Sequence, residues 1–314
     1  MKFLRRYFSR SILVATSLVV ILLMFSFLSP VFPLADSISH FRFQLVILLI
    51  VLVVLTALLG KRCLVVAGLV VAVSCIFSFV SYSMFSPARV ESGKYQVLKL
   101  MQLNLLFMNR DLKAVAQLAR DRDVDVITLQ EVNHHTGRVL SLLQQDYPYQ
   151  VRCSFQAVGS VAVLSRLPLA STQSRGCLNE DGVAWLRVRV GQQALTISSV
   201  HLHWPFPFSQ WAQVERLESQ LGDLPQPVIM AGDFNAAPWS QAVSRLASAS
   251  QTEVAPGLYF SFYLNMFGAV LPVGLPIDHV LLPRGFIVDT MALGPKVGSD
   301  HYSVFASIAV PVKD

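Results

Sequence analysis

Apolar and polar positions divide this chain into two unlike parts. From residue 11 to residue 83 it is almost continuously apolar, whereas beyond residue 95 the apolar positions fall into short alternating runs and helical stripes. Three long apolar runs occupy 11–35, 44–60 and 63–85. The first exceeds the ~20 residues a bilayer helix needs, the second is near the lower limit, and the third is long enough. The first is also longer than the apolar core of a secretory leader and is followed by two more, so all three read as retained spans. The pattern therefore predicts a membrane region over 1–85, with spans at about 11–34, 44–60 and 63–85. A polar linker follows at 86–95 ("SPARVESGKY"), and then a soluble domain over 96–314.

Within the soluble domain, 96–107 alternates and then runs apolar, as a strand does. Residues 109–123 place Leu112, Val115, Ala116, Leu118 and Ala119 at helical spacing, with Asp111 as the expected cap. A β-branched strand follows at 124–133 and a helix is expected at 137–149. Strands are expected around "YQVRCSF" and "SVAVLSRLPL", and 182–203 reads as a hairpin turning at Gly191-Gln192-Gln193. A helix at 209–224, a strand in "PVIMAGDFN" and a short helix at 240–249 come next. Strands at 276–283, 286–294 and 301–310 complete the domain. Mixed helices and strands, many strands adjacent, indicate an α+β sandwich.

Charge sharpens the division. Of the 25 Lys and Arg in the 314-residue chain, seven lie before residue 84, against one of the 19 acidic residues. The remainder carries 18 of each sign, so the net charge of +6 belongs to the membrane region. That weakens a nucleic-acid reading of the basic balance, because a polyanion-binding domain ordinarily carries its own basic face. The basic residues also set orientation. Lys2, Arg5, Arg6 and Arg10 precede the first span and Lys61 and Arg62 fill the turn between the second and third, while the first loop holds only Asp36, His40 and Arg42. The expected topology has the N-terminus in the cytoplasm and the large domain on the outer, periplasmic or extracellular, side. Cys153 and Cys177 lie in that domain without a metal-binding spacing. Export would permit a disulfide between them; two separate buried thiols are the alternative.

The candidate chemistry lies at strand ends. Asn104 follows "LMQL", Glu131 follows "VITLQ", His201 follows "TISSV", and Asp233 and Asn235 follow "VIMAG". Asp278 opens "DHVLL", and Asp300 and His301 precede "YSVFASI". One such residue is an ordinary turn or cap. The whole set in one domain, at ends a sheet would align, is not explained by turns, and carboxylate, carboxamide and imidazole in one cleft suit a hard divalent cation and phosphate oxygens.

The ordered segments "QLN", "LQEVN", "VAVLSR", "SVHLHW", "AGDFNAAP", "PIDHVLL" and "GSDHYSV" resemble the endonuclease/exonuclease/phosphatase superfamily over residues 96–310. That group includes DNase I, abasic-site endonucleases, inositol polyphosphate phosphatases and neutral sphingomyelinases. The resemblance implies a four-layered α/β/β/α sandwich (DNase I-like) and metal-dependent phosphoester hydrolysis, usually with Mg²⁺, Mn²⁺ being the alternative. It implies metal-site roles for Glu131, Asn104 and Asp300, and His301 as catalytic histidine oriented by Asp278. Asp233 and Asn235 become the pair that positions the attacking water and the phosphate, and His201 a second phosphate-contacting histidine; His279 and His203 receive no role.

Substrate is less determined. The expected partners are a phosphoester, whether nucleic acid, phospholipid or a small molecule, and the lipid bilayer. Aromatic segments at 203–211 and 257–276 adjoin His201 and Asp278, and are either buried loops and strands or surfaces that dip into a bilayer. The alternative to an enzyme is a catalytically inactive relative serving as a membrane-bound receptor or scaffold.

Overall fold

A computed structural model describes residues 2–83, 93–155, 159–178, 181–266 and 269–312, without side chains at 2–5, 81, 83, 264–266 and 269–273. The expected linker at 86–95 falls mostly outside the described residues. Four helices come first: α1 (Lys2–Ser26), α2 (Pro33–Ser39), α3 (Arg42–Leu58) and α4 (Arg62–Ser83). The first expected span ends at Ser26 rather than 34, and a second helix starts with Pro33 at its first position, where the missing N–H costs no hydrogen bond. Among the described residues, two helices, over 6–26 and 62–80, are long and apolar enough to cross a membrane. The count reaches the expected three only if α2 and α3, bent by 67°, form one span.

Strands β1 (Tyr95–Asn104) and β2 (Val126–Val132) are parallel and joined through α5 (Leu112–Asp121). Asp111 holds the N-cap position of α5, yet its side chain makes no capping bond; its own N–H donates to Asn109 Oδ1 instead. The helix expected over 137–149 shortens to α6 (Arg138–Leu142), and the chain beyond it is tied to the sheet by Tyr147 Oη donating to Val124 O at 2.9 Å. Next come β3 (Tyr149–Cys153), β4 (Ser160–Ser165), β5 (Arg175–Cys177) and the hairpin β6 (Val183–Val190) and β7 (Gln193–His201). Helix α7 (Gln210–Leu221) crosses over to β8 (Val228–Asp233), parallel to β7. The chain closes with α8 (Gln241–Ala249), β9 (Thr252–Val254), the hairpin β10 (Phe262–Met266) and β11 (Ala269–Leu275), then β12 (Asp278–Pro283), β13 (Ile287–Leu293) and β14 (Val304–Pro311).

Two six-stranded sheets result, ordered β13-β14-β1-β2-β4-β3 and β5-β6-β7-β8-β12-β9. Alternation sorts the side chains into layers. Leu98 and Leu100 of β1 face Ile197, Ile229 and Val280 across the space between the sheets. Met101 and Leu103 on the opposite face pack under α5 and α6, and Val228 and Met230 pack under α7 and α8. The sandwich is therefore α/β/β/α, as expected.

Cys153 and Cys177 form a disulfide that links edge strands β3 and β5, one from each sheet.

The N-terminal helices join the domain at one end of the sandwich. Ala237, Trp239 and Leu258 share an apolar cluster with Leu23, Leu49 and Cys75 of the bundle, and Phe79 lies 4.6 Å from the Trp239 ring. Around this contact Trp239 Nε1 donates to Ser39 O at 2.7 Å, and the Ala237 N–H donates to His40 Nδ1 at 3.0 Å. Asp36 Oδ1 accepts from the Gln241 N–H at 2.8 Å, so a residue between the first two apolar runs supplies an anion to the N-terminus of α8.

Replacing Cys153 and Cys177 together by Ser is expected to lower stability by about 2–4 kcal/mol, in line with the ~3.5 kcal/mol the chain-entropy account gives for a loop of this length. Thermal unfolding in detergent checks this: reductant should lower the wild-type Tm and leave that of the double variant unchanged.

Candidate active site

Both parallel strand pairs run toward the same end of the sandwich and deliver their last residues there. Register places Asn104 beside Gln130, and His201 and Asp278 on either side of Asp233. On the face between the sheets, polarity rises toward this end. In β1 the inward series is Leu98, Leu100, Gln102, Asn104; in β7 it is Leu195, Ile197, Ser199, His201; in β8 it is Ile229, Ala231, Asp233. Hydrocarbon thus gives way to amides and hydroxyls, and these, beside Asn104, to the ionisable His201 and Asp233.

Asp233 sits at the centre. Its Oδ1 accepts the Asn235 N–H at 2.8 Å, closing a local turn with Asn235 at φ 46°, a left-handed conformation asparagine tolerates. Its Oδ2 points inward, 3.0 Å from Asn104 Nδ2 and 3.7 Å from Nε2 of both His201 and His301. Gly232 lies inside the strand and does not ease the turn; a Cβ there would stand 2.0 Å from Val200 O, so glycine lets β7 and β8 pair beside the site. Asn235 Nδ2 donates to Leu202 O at 2.8 Å, committing one amide hydrogen to the exit of β7.

Asp278 is fully buried and fully paired. Its Oδ1 accepts from Gln102 Nε2 at 2.8 Å, and its Oδ2 accepts from Ser261 Oγ and from His301 Nδ1, the latter at 2.8 Å. Burial opposes its ionisation, but the His301 charge and these three donors outweigh burial and hold its pKa below the ordinary value. Burial alone would lower the pKa of His301; Asp278 and Asp233 reverse this and raise it to about 10. His201 lacks such a partner, and burial followed by the His301 charge lowers it to about 3. Burial pushes the Asp233 carboxyl up to about 7 against the pull of His301. Near neutral pH the site therefore holds a cationic His301, an anionic Asp278 and a neutral His201 around a carboxyl whose proton is loosely held.

Glu131 stands at a bulge where the β2–β4 register shifts, with φ 57°. Backbone strain of this kind in a non-glycine residue concentrates at functional sites. Gly159 accommodates it: a Cβ there would lie 3.0 Å from the Glu131 carbonyl carbon. The carboxylate accepts from Asn104 Nδ2 at 3.2 Å and from the Phe107 N–H at 2.7 Å, while burial first, and the nearby Asp300 charge, push its pKa up.

All eight expected residues thus lie at this end, and they fall into two groups. The tight cluster is Asp233, Asp278 and His301, whose potential ligand atoms lie within 4.8 Å of one another. Asp278 and His301 Nδ1 are already committed to each other, which suits proton handling. Glu131 and Asp300 are like-charged oxygen donors that repel, the donor chemistry a hard divalent cation fits.

Several supporting residues were not among those expected. Gln102 Nε2 bridges Asp278 and Gln130 Oε1, and Gln130 Nε2 continues to Ser199 Oγ at 3.0 Å. Ser299 Oγ donates to Asn104 O and accepts the His301 N–H. Gln210 and Gln213 of α7 bind the carbonyls of Phe234 and His201. Gln102 had a readable signal, since an amide two positions before Asn104 in an apolar strand shares its face. Ser261 had none, because only the folded chain brings it to Asp278.

Fold and site define a two-sheet sandwich with a carboxylate–imidazole centre at its converging strand ends. Residues 101–301 match the model of the endonuclease/exonuclease/phosphatase family, and the chain belongs to that family. Among solved structures it is similar to an endonuclease/exonuclease/phosphatase from Beutenbergia cavernae, at 19% identity and TM-score 0.53 over 69% of this chain and 72% of that one. It is also similar to a conserved protein of unknown function from Enterococcus faecalis, at 15% identity and TM-score 0.55, covering 68% and 100%. A third is a family protein from Bacteroides thetaiotaomicron, at 15% identity and TM-score 0.53, covering 70% and 100%. At these identities the likeness concerns the fold. No curated protein matches the chain in sequence.

Gln102→Leu should leave Asp278 Oδ1 and Gln130 Oε1 buried without this donor. The expected cost is about 1–3 kcal/mol, measured by chemical denaturation of the purified chain.

Proposed function

We propose that this chain is a membrane-anchored, divalent-metal-dependent phosphoester hydrolase. The observation that carries the reading is Asp233 Oδ2, an inward carboxylate oxygen held by Asn104 between the Nε2 atoms of two histidines. A phosphate seated between those imidazoles would meet a hydrogen-bond donor in His301 and a proton acceptor in Asp233. Asp233 takes the proton of the attacking water, its raised pKa matching it to work near neutral pH. His301, fixed through Nδ1 by Asp278, presents a protonated Nε2 to the phosphoryl oxygen or the departing oxygen. His201 lines the opposite side, and the second Asn235 amide hydrogen is available to the phosphate. Glu131, with Asp300 and Asn104, would hold Mg²⁺ or Mn²⁺, which when bound polarises the phosphoryl oxygen and offsets charge on the leaving oxygen. The complete Asp278–His301–Asp233 network weighs against an inactive scaffold, which has no need of a buried ionic network.

The placement we propose is an inner-membrane protein with its N-terminus in the cytoplasm and its catalytic domain on the outer side. Three observations support it: the basic residues at the N-terminus and at Lys61-Arg62, the docking of the first loop on the catalytic domain, and the Cys153–Cys177 disulfide, since such bonds persist in oxidising compartments.

Detergent-solubilised full chain should hydrolyse bis(p-nitrophenyl) phosphate with Mg²⁺ and lose that activity with EDTA. Glu131→Gln and His301→Ala should each lower kcat/KM at least 100-fold, about 2.7 kcal/mol of transition-state stabilisation. Activity surviving both changes would show that the site is misassigned. A phosphatase reporter fused after Asp314 should be active only on the non-cytoplasmic side; cytoplasmic activity would reverse the orientation.

A further inference from the structure

The membrane helices touch the catalytic domain on the loops around its active-site mouth. Ser39 and His40 bind the segment after Asp233. Ser37 Oγ donates to Phe206 O at 3.2 Å, on the loop that leaves His201. Gln44 Nε2 donates to Gly274 O at 2.5 Å, and the Phe43 ring lies 5.0 Å from Phe260, on the chain leading into and out of the hairpin that precedes Asp278. The loops following β7 and β8 and the hairpin before β12 are thus each fastened to the membrane region, at the pole where the catalytic groups converge.

One of these loops is unusually apolar for a surface. Trp204, Phe206 and Phe208 are 50%, 46% and 66% exposed, which fits the surface reading of this segment and not the buried one. The loop is fastened at Phe206 to α2, and Phe32 and Leu34 at the start of α2 are exposed as well. Trp204 packs edge-on against Phe262, whose ring lies 4.9 Å from the His301 imidazole. Exposed rings thus stand at the turn after the first membrane helix and on the 203–208 loop, and the buried Phe262 connects Trp204 to the catalytic histidine. Large aromatic rings with this placement sit at the headgroup level of a bilayer. Contiguous apolar surface of this kind marks an interaction site, and here it continues a surface already in the membrane.

We infer that the 203–208 loop and α2 rest in the headgroup layer of the protein's own membrane, so that the site takes its phosphoester from lipid headgroups there. This rests on the phosphoester hydrolase reading. In the reaction the oxygen of water bonds to phosphorus as the bond from phosphorus to one ester oxygen breaks. The proton of the water passes to Asp233, and the departing alcohol oxygen takes the proton of His301 Nε2; no oxidant or reductant is involved. A nucleic-acid substrate would stack bases on such rings but would also call for cationic side chains along its phosphate backbone, and the 203–208 loop carries no Lys or Arg.

The test compares wild type with a Phe206→Ser/Phe208→Ser variant, both full length, reconstituted into vesicles of phosphatidylethanolamine, phosphatidylglycerol and sphingomyelin with Mg²⁺. Lipid products are read by mass spectrometry, and bis(p-nitrophenyl) phosphate serves as a soluble substrate. The expected result is lipid headgroup hydrolysis by wild type, at least tenfold slower in the variant, with soluble hydrolysis within twofold in both. Equal lipid rates in the two proteins would overturn the inference. So would lipids left intact by a preparation that cuts a DNA oligonucleotide or the soluble diester, and in that case the hydrolase reading survives. Failure of wild type on every substrate would bring down both.

Discussion

The constraint on which the site depends is the direction of two strand pairs. Neighbouring parallel strands must be joined by a crossover, here a helix, and parallel pairing makes β1-α5-β2 and β7-α7-β8 each end two neighbouring strands at one place. Packed face to face, the two sheets point those ends the same way. Antiparallel neighbours complete the set, since β12 begins beside the end of β8 and β14 begins beside Gln102. Residues from distant parts of the sequence therefore meet without any one loop having to carry the site. A site built on strand ends is also held more rigidly than one on loops.

Rigidity has an energetic cost here that the network offsets. Asp278 and His301 are taken almost wholly out of water, and an ion pair at such depth is favourable only if its remaining lone pairs are bonded. Gln102 and Ser261 meet that condition for Asp278, and Ser299 holds the His301 backbone. The amide and hydroxyl layer below the charged layer, Gln102, Gln130 and Ser199, is what allows charge to stand on top of a hydrocarbon core. Gln102 stands between the Asp278 carboxylate and Leu100 of the inward β1 row, so on that side the carboxylate meets an amide and not hydrocarbon.

Much of this was readable in the sequence. Alternation located the strands, and polar residues at their ends located the site, because both depend on local pattern. What stayed hidden depends on contacts between distant segments. Ser261 and Ser299 are ordinary loop serines until Asp278 and His301 arrive beside them. The helix expected over 137–149 stops at Leu142, and the chain beyond it is held by the Tyr147 hydroxyl on Val124. Asp36 and His40 looked like polar residues of a short loop between apolar runs, and Trp239 like part of a turn. Their partners are one another's segments, some 200 residues apart, and no periodicity reports that.

That last contact alters what the apolar N-terminal region is for. A tether needs only to be long and apolar, and it would leave the domain free to tumble above the bilayer. Here Asp36 lies at the start of α8, His40 accepts from the amide two residues past Asn235, and Trp239 is buried among bundle side chains. On its other side the same segment is braced by the domain itself, with His279 Nε2 bonded to Ala236 O at 2.7 Å. The turn that aims Asp233 is therefore gripped from the side of the N-terminal helices and from the sheet side at once. A shift of the bundle cannot leave this turn untouched, because the bonds that would absorb it attach within two to six residues of Asn235. The N-terminal helices are in this sense the outer support of the turn that carries Asp233.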